Sequence, residues 1–412
     1  MSVHTLYRKL FVILLYDNIC IILFSLLRPN IVVIKEQSSY SPSIKFGYNV
    51  HMFKNLTIKN FRGLKNLVLE DFKQINIIVG DNSIGKSTIL DALYIGINPN
   101  NPNLPTKTNI FRNIDEIQTK KAGEEYWKTF FYDFDFRNTI ELTFNKDTSG
   151  NRTIQITAFN STSIDNQLQK SEVHEPSTFY DSSDTSFRNI IGLQIDSAIH
   201  DKLSQSRLFL DHKGLQSVID KDYTELLNGV YLNSLTNSKP TIISSQFDDL
   251  VRLNNKTKLI SFLTKLEPTI QDINHLSNTL VATDTRFSEA INIGTYGNGF
   301  IKFLSILTFI LSLEKTNICL IDEIENGLYH TKQQTLWKSI LSLANVNQDL
   351  QLFITTHSLE MIHNLYQTSQ DMSYCDKINL YRIEKNVNNE THAFRYTYEQ
   401  YLYAMKEKMD VR

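Results

Sequence analysis

The residues Gly80-Asp81-Asn82-Ser83-Ile84-Gly85-Lys86-Ser87 satisfy G-x-x-x-x-G-K-[ST] at every fixed position. Glycines at this spacing let backbone N–H groups turn inward around phosphate oxygens, and a helix starting near Lys86 aims its positive end at them. Gly80, Asn82, Ser83, Ile84, Gly85, Lys86, Ser87 and Thr88 are therefore the expected phosphate-binding residues. Lys86 is placed to reach the β- and γ-phosphates and Ser87 Oγ to ligate Mg²⁺, which predicts ATP and Mg²⁺ as cofactors. Asp81 offers no such donor and is read as a cap or a solvent-facing residue.

Two further runs supply the polar groups that a phosphate site needs. The apolar stretch Asn317 to Ile321 ends in Asp322 and Glu323, as expected of a buried strand that presents its C-terminal end to the site. Asp322 is expected to hold Mg²⁺ and Glu323 to accept a proton from the attacking water. The next apolar run, Leu352 to Thr355, leads into His357, which is expected to contact the γ-phosphate or that water. Lys86, Glu323 and His357 are thus the candidate catalytic groups. His357, Glu360 and His363 lack the H-E-x-x-H arrangement of a zinc protease. Gly294-Thr295-Tyr296-Gly297-Asn298-Gly299 opens into an apolar helix, and glycines there expose N–H donors as a second anion site.

The elements that must position these groups are visible in the hydrophobic pattern. Leu56, Ile58, Leu64, Leu67 and Leu69 alternate around Arg62-Gly63, which predicts two strands about a turn. Ile75 to Val79 reads as a strand buried on both faces and Ser87 to Ile95 as a helix. Asn98 to Asn109 reads as loop, and Thr139 to Phe144 with Thr153 to Phe159 as antiparallel strands. Asn160 to Asp184 is polar and reads as a loop or mobile insertion. Between Ser204 and Leu280 the apolar positions Leu259, Leu263, Leu266, Ile270, Ile273 and Leu280 suggest helices, broken at Pro268. Phe300 to Leu313 reads as a buried core helix with Lys302, Ser305, Thr308 and Ser312 on one narrow stripe, and Thr335 to Leu343 as a helix between the last two strands. Asp133-Phe134-Asp135 mimics a metal-binding acid pair but is read as structural, within an aromatic strand-like run.

Composition narrows the class. Lys and Arg number 42 against 44 Asp and Glu, for a formal net charge of −2, so any nucleic-acid contact must come from a local patch. Lys54, Lys59, Arg62, Lys65 and Lys73 are the candidate patch, with a solvated strand face as the plainer alternative. Hydrophobic residues at 41% and charged residues at 21% exclude a disordered chain and a polytopic membrane protein. Three cysteines, Cys20, Cys319 and Cys375, without C-x-x-C spacing suit a reducing, cytoplasmic compartment. Residues 1–51 differ from the rest. Leu10 to Leu27 is nearly all apolar and sits at the lower length limit for a membrane span, so a dispensable extension, a membrane anchor and an ordinary core segment all stay open.

Leu56-Thr57-Ile58-Lys59-Asn60-Phe61-Arg62 ahead of the phosphate loop, Asp322-Glu323-Ile324-Glu325-Asn326-Gly327-Leu328-Tyr329-His330 and Thr355-Thr356-His357-Ser358 together resemble the RecF/SMC branch of the ABC-type ATPases. In particular they resemble the AAA-labelled ATP-binding proteins related to the overcoming-lysogenisation-defect family, from Met52 to about Arg412. The resemblance implies an α/β P-loop NTPase, ABC/SMC-head-like, with an N-terminal antiparallel β lobe and a polar and helical insertion at about 160–290. It also implies an ATP-dependent head-to-head homodimer in which Gly297 and Gly299 of one subunit contact the γ-phosphate held by the other. Three departures stand out. Thr295-Tyr296-Gly297-Asn298-Gly299 replaces the transporter signature Leu-Ser-Gly-Gly-Gln, no glutamine matches the metal-sensing loop, and the chain after His357 is too short for the nuclease domain of the full-length enzymes. The expected function is an ATP-hydrolysing switch in DNA repair or anti-phage defence, acting with a separate nuclease effector. A nucleotide-gated binding module without appreciable turnover and a transporter nucleotide-binding subunit are the alternatives.

Overall fold

The computed structural model describes residues 15–16, 19–20 and 52–411, with breaks at 115–119, 147–150, 161–189, 200–201, 212–213, 220–227, 234–239, 277–278, 314–316 and 408–409. The chain divides into two compact units, Met1–Tyr48 and Asn49–Arg412. In the first, β1 (Leu15–Tyr16) pairs antiparallel with β2 (Ile19–Cys20); the rest of the apolar stretch from Leu10 to Leu27 lies outside the described residues. Among those described, no helix is long and apolar enough to cross a membrane.

The second unit is built on two large sheets. Seven antiparallel strands form the lobe, β3 (Phe53–Phe61), β4 (Leu64–Leu69), β6 (Ile140–Lys146), β7 (Asn151–Asn160), β8 (Ile190–Ile199), β9 (Lys202–Asp211) and β10 (Gly214–Val218), in the order β10-β9-β8-β7-β6-β3-β4. The other sheet runs β11-β15-β16-β5-β17-β18, formed by β5 (Ile75–Gly80), β11 (Asn228–Leu232), β15 (Asn317–Ile321), β16 (Leu350–Thr355), β17 (Ile378–Lys385) and β18 (Thr391–Tyr396). Its first five strands are parallel and only edge strand β18 is antiparallel. A third, small antiparallel sheet holds β12 (Ile270–Leu276), β13 (Thr279–Asp284) and β14 (Ile291–Asn292).

Alternation along the parallel strands divides the core in two, as a parallel sheet buried on both faces requires. Ile77, Cys319, Ile321, Leu352, Ile354 and Leu380 face one apolar core. That core is completed by α4 (Pro240–Arg252), α5 (Lys256–Leu266), α6 (Asn298–Leu311), α7 (His330–Val346), α8 (Leu359–Asp371) and α9 (Tyr398–Lys406). Ile78, Ile318, Leu320, Phe353 and Tyr381 face the other, shared with the antiparallel lobe and the phosphate-loop helix α1 (Lys86–Ile97). Two short helices, α2 (Leu104–Ile110) and α3 (Lys120–Lys128), follow α1. Specific bonds lock the layers together. The buried Gln351 side chain of β16 accepts from Phe53 N–H at 3.0 Å and donates to Phe53 O at 2.8 Å. Buried Arg152 of β7 donates to the Gly96 and Ile97 carbonyls, satisfying the C-terminal end of α1.

Several expectations from the sequence need correction. Asn98 to Asn109 is not all loop: Pro105 stands in the first turn of α2, where its missing N–H costs nothing. Ser204 lies in β9, and among the described residues between Ser204 and Leu280 only α4 and α5 are α-helical. Ile270 and Ile273 mimic helical spacing because β12 carries a bulge between Ile270 and Asp272, which returns both side chains to the buried face. Asn228–Leu232 supplies an edge strand to the parallel sheet, a run too short for periodicity to reveal. Asp133 and Phe134 occupy a 3₁₀ turn instead of a strand, and Asp135 pairs with Arg137 at 2.7 Å. The polar stretch at 161–184 lies outside the described residues. α6, by contrast, is buried from Phe300 to Leu311, as its composition predicts.

Phe353 is wholly buried and meets Phe72 edge-on at 4.8 Å between centroids. Truncation there opens a cavity between the sheets, so Phe353→Ala is expected to lower unfolding free energy by about 3–5 kcal/mol, read from urea unfolding.

Candidate active site

Three parallel strands bring the candidate residues together. Ile321 of β15 pairs with Ile354 of β16, and Thr355 of β16 with Ile78 of β5. The next residues of each strand therefore emerge at one edge of the sheet: the loop from Gly80, the acids Asp322 and Glu323, and Thr356-His357. Clefts at the C-terminal ends of parallel strands are where such sheets bind ligands.

The loop itself is built around backbone conformations that side chains disfavour. Gly80 has φ +143°, and a Cβ there would stand 2.3 Å from the Ile383 carbonyl of β17. Gly85 at φ +113° caps α1 without a side-chain bond, and Ser83 is also left-handed at φ +61°. Asn82 and Ser83 are exposed, Ile84 is anchored in the core, and Ser87 is half-buried at the start of α1. Lys86 folds back over the loop, its Nζ donating to the Gly80 and Asp81 carbonyls at 2.8 Å each. Burial pulls the Lys86 ammonium down, opposed by the carboxylates of Asp322, Glu323 and Glu325.

Across the cleft, one hydroxyl organises both acids. Thr355 Oγ1 donates to Asp322 Oδ1 at 2.5 Å and accepts from the Glu323 N–H at 2.8 Å. Glu323 is itself left-handed at φ +50°. Its carboxylate accepts from Asn326 Nδ2 and lies 4.0 Å from His357 Nε2. His357 Nδ1 is 3.5 Å from Lys86 Nζ. The His357 N–H donates to Glu325 Oε1 at 2.6 Å, while Glu325 Oε2 is buried with no hydrogen-bond partner among the described residues. Lys86, Asp322, Glu323 and His357 are thus adjacent.

These features fit a nucleotide with Mg²⁺. The loop is a cradle that a Cβ would obstruct, and Ser87 and Asp322 offer hard oxygen donors. Among the described residues no three His, Cys, Asp or Glu side chains form a metal cage. Mg²⁺ is commonly held by one or two carboxylates together with phosphate oxygens, so such a cage is not needed.

Thr355, Glu325, Asn326 and Lys302 also belong to the site, though no motif assigns them a role. Hydroxyls ahead of His357 on an otherwise apolar strand, and a lysine inside an apolar helix, were the available signals. Thr88 lies in the first turn of α1 and accepts from Arg112 Nη2 at 3.3 Å. Gly297 and Gly299 open instead onto a cleft of about 860 Å³ walled by Arg286, Tyr296, Tyr329 and Lys332, with none of residues 80–88 among its walls. Gly299 has a local reason to be glycine, since a Cβ would stand 2.7 Å from the Gly327 carbonyl.

The expected basic face is largely committed elsewhere. Lys59 pairs with Glu141 at 2.9 Å and Lys73 with Asp71 at 3.4 Å. The Arg62 side chain is buried, 3.2 Å from Asp91 of α1, and donates to Thr108 and Asn109. Burial pulls its guanidinium down to about 10, against the opposing pull of Asp91. Arg62 is a structural clamp on α1 and is not presented to a phosphate backbone.

A family model described as "AAA domain, putative AbiEii toxin, Type IV TA system" matches residues 75–362, from the strand entering the phosphate loop into the helix after His357. The chain belongs to this family. It is 24% identical over 361 residues to the "ATP/GTP phosphatase" of Helicobacter pylori (strain ATCC 700392 / 26695), covering 81% of this chain and 93% of the relative. Among solved structures, the SmcHead bound to the C-winged helix domain of ScpA aligns at TM-score 0.44 and 14% identity, covering 85% of this chain and 99% of that one. The SMC head domain from Thermotoga maritima aligns at TM-score 0.37 and 10% identity, covering 84% and 98%. The α/β P-loop architecture is read from the strand order and the loop geometry above.

Gly80→Ala places a methyl group against a backbone carbonyl that cannot turn aside. The variant is expected to lose at least about tenfold in ATP affinity, roughly 1.4 kcal/mol, in titrations with a fluorescent ATP analogue; unchanged affinity would refute the cradle geometry.

Proposed function

We propose, on the premise of that membership, that this chain is an Mg²⁺-dependent ATPase that works as a conformational switch. The observation that carries the reading is the convergence of Lys86, Asp322, Glu323 and His357 at one edge of the parallel sheet. Mg²⁺, when bound, would neutralise β- and γ-phosphate charge and help align the reacting groups. Ser87 and Asp322 would hold it. Lys86 would exchange its two loop carbonyls for phosphate oxygens, and the loop amides would donate to the same anion. Glu323 would take the proton of the attacking water, with Asn326 and Thr355 fixing its carboxylate and its peptide. His357, oriented from its backbone by Glu325, would hold a proton at Nε2 toward the γ-phosphate side.

The active form we propose is a homodimer, in which Gly297 and Gly299 of one copy meet the γ-phosphate held by the other. Support comes from the resemblance to ABC-type heads and from the position of both glycines on a cleft that residues 80–88 do not line. The setting we propose is DNA repair or anti-phage defence in the cytoplasm, with a separate nuclease as effector; it rests on the same resemblance.

Phosphate release by the purified protein tests the chemistry. Glu323→Gln is expected to lower turnover by about 10²–10⁴-fold while ATP still raises the melting temperature. Lys86→Ala is expected to abolish that ATP-induced stabilisation. Wild-type turnover indistinguishable from Glu323→Gln would instead favour a binding module without hydrolysis. Light scattering on Glu323→Gln with Mg²⁺-ATP is expected to give twice the monomer mass, and a monomer under those conditions would remove the dimer.

A further inference from the structure

Helix α6 begins at the glycine turn and is buried from Phe300 to Leu311, yet it carries a lysine at its second turn. Lys302 is only 3% exposed. An ammonium taken out of water is costly unless it is paired and hydrogen-bonded, so a lysine kept inside an apolar helix needs partners worth that cost. Its partners are on the acidic loop. Nζ donates to the Glu323 carbonyl at 3.3 Å, and the carboxylates of Glu325, Asp322 and Glu323 support its charge. Burial outweighs them and pulls the ammonium down to about 8.

The peptide that Lys302 touches is a special one. Glu323 is left-handed at φ +50°, a conformation that a non-glycine residue keeps only when its surroundings hold it. Three bonds do so. The Glu323 N–H goes to Thr355 Oγ1 at 2.8 Å, and its carbonyl accepts from Asn326 N–H at 3.1 Å as well as from Lys302. Thr355 and Asn326 belong to the strand and loop of the site. Lys302 alone of the three comes from the helix that opens at Gly297.

We infer that Lys302 is a positioning residue: it holds the Glu323 peptide in the left-handed turn that directs the carboxylate toward His357, and ties that peptide to the helix beginning at Gly297. The inference rests on the reading of Glu323 as the general base. Whatever docks at the glycine turn and shifts α6 would then reach the base through this side chain as well as through the contact of Gly299 with Gly327.

The test compares Lys302→Met, of similar length but without a donor, and Lys302→Arg, which keeps donor and charge, in the full-length protein. Lys302→Met is expected to lower turnover at least about tenfold with KM and ATP-analogue affinity within about threefold of wild type. Lys302→Arg should restore turnover to within about threefold of wild type. Combined with Glu323→Gln, Lys302→Met should slow the reaction no further, since both changes act on one group.

Turnover of Lys302→Met within about twofold of wild type would overturn the inference, as would a full additive loss in the double variant. Loss of folding in both variants would mark a packing role and overturn it equally. If wild-type protein hydrolyses ATP and needs Glu323 but not Lys302, only this inference fails. If wild-type protein does not hydrolyse ATP at all, the proposed function fails and takes this inference with it.

Discussion

The parallel pairing of β15, β16 and β5 is the constraint on which the rest of the site depends. Parallel strands share a direction, so the residues that follow each strand leave the sheet at the same edge. Here that edge receives the phosphate loop, the acid pair and the histidine, although they lie far apart in the chain. Such a sheet must be covered on both faces, and the two apolar cores do this, one with helices and one with α1 and the antiparallel lobe. A single-residue slip in register would exchange the two faces of a strand and bury the wrong set.

The polar groups at that edge are held by short-range partners, with the net charge of the protein contributing nothing. Thr355 joins the two acids, Glu325 fixes the backbone of His357, and Lys86 donates to the loop carbonyls. Left-handed backbone at Ser83 and Glu323 shows that positions on both sides of the cleft are strained. Strain of this kind persists only where several bonds over-determine the conformation, and Glu323 has three. The near-neutral total charge, −2, is compatible with a site built to hold one polyanion by a lysine and a row of amides.

The same economy explains residues that look functional in the sequence and serve the scaffold instead. Arg62 stands on an exposed-looking hairpin turn, yet its guanidinium is spent on Asp91, Thr108 and Asn109 and clamps α1 from outside. Arg152 does comparable work at the other end of α1. Gln351, inside an apolar strand, satisfies both backbone groups of Phe53 and joins the two large sheets. Each of these polar side chains gains its place by satisfying backbone groups or a buried charge that burial would otherwise leave exposed to cost.

The sequence by itself determined the phosphate loop, the acid pair, the histidine and the buried character of α6, because each is a local pattern: fixed glycine spacing, an apolar run ending in polar residues, or an unbroken apolar helix. It did not determine β11 or the strands of the third sheet, since a short edge strand and a bulged one carry no clean period of two. Nor could it assign Thr355, Glu325, Asn326 and Lys302, or withdraw Arg62 from the surface. Those roles are set by which groups the fold brings together from different elements, 21 to 47 residues apart in the chain for all but the Asn326–Glu323 pair. Only the tertiary structure decides that, because a hydrogen bond or ion pair depends on a separation of about 3 Å and not on position in the chain.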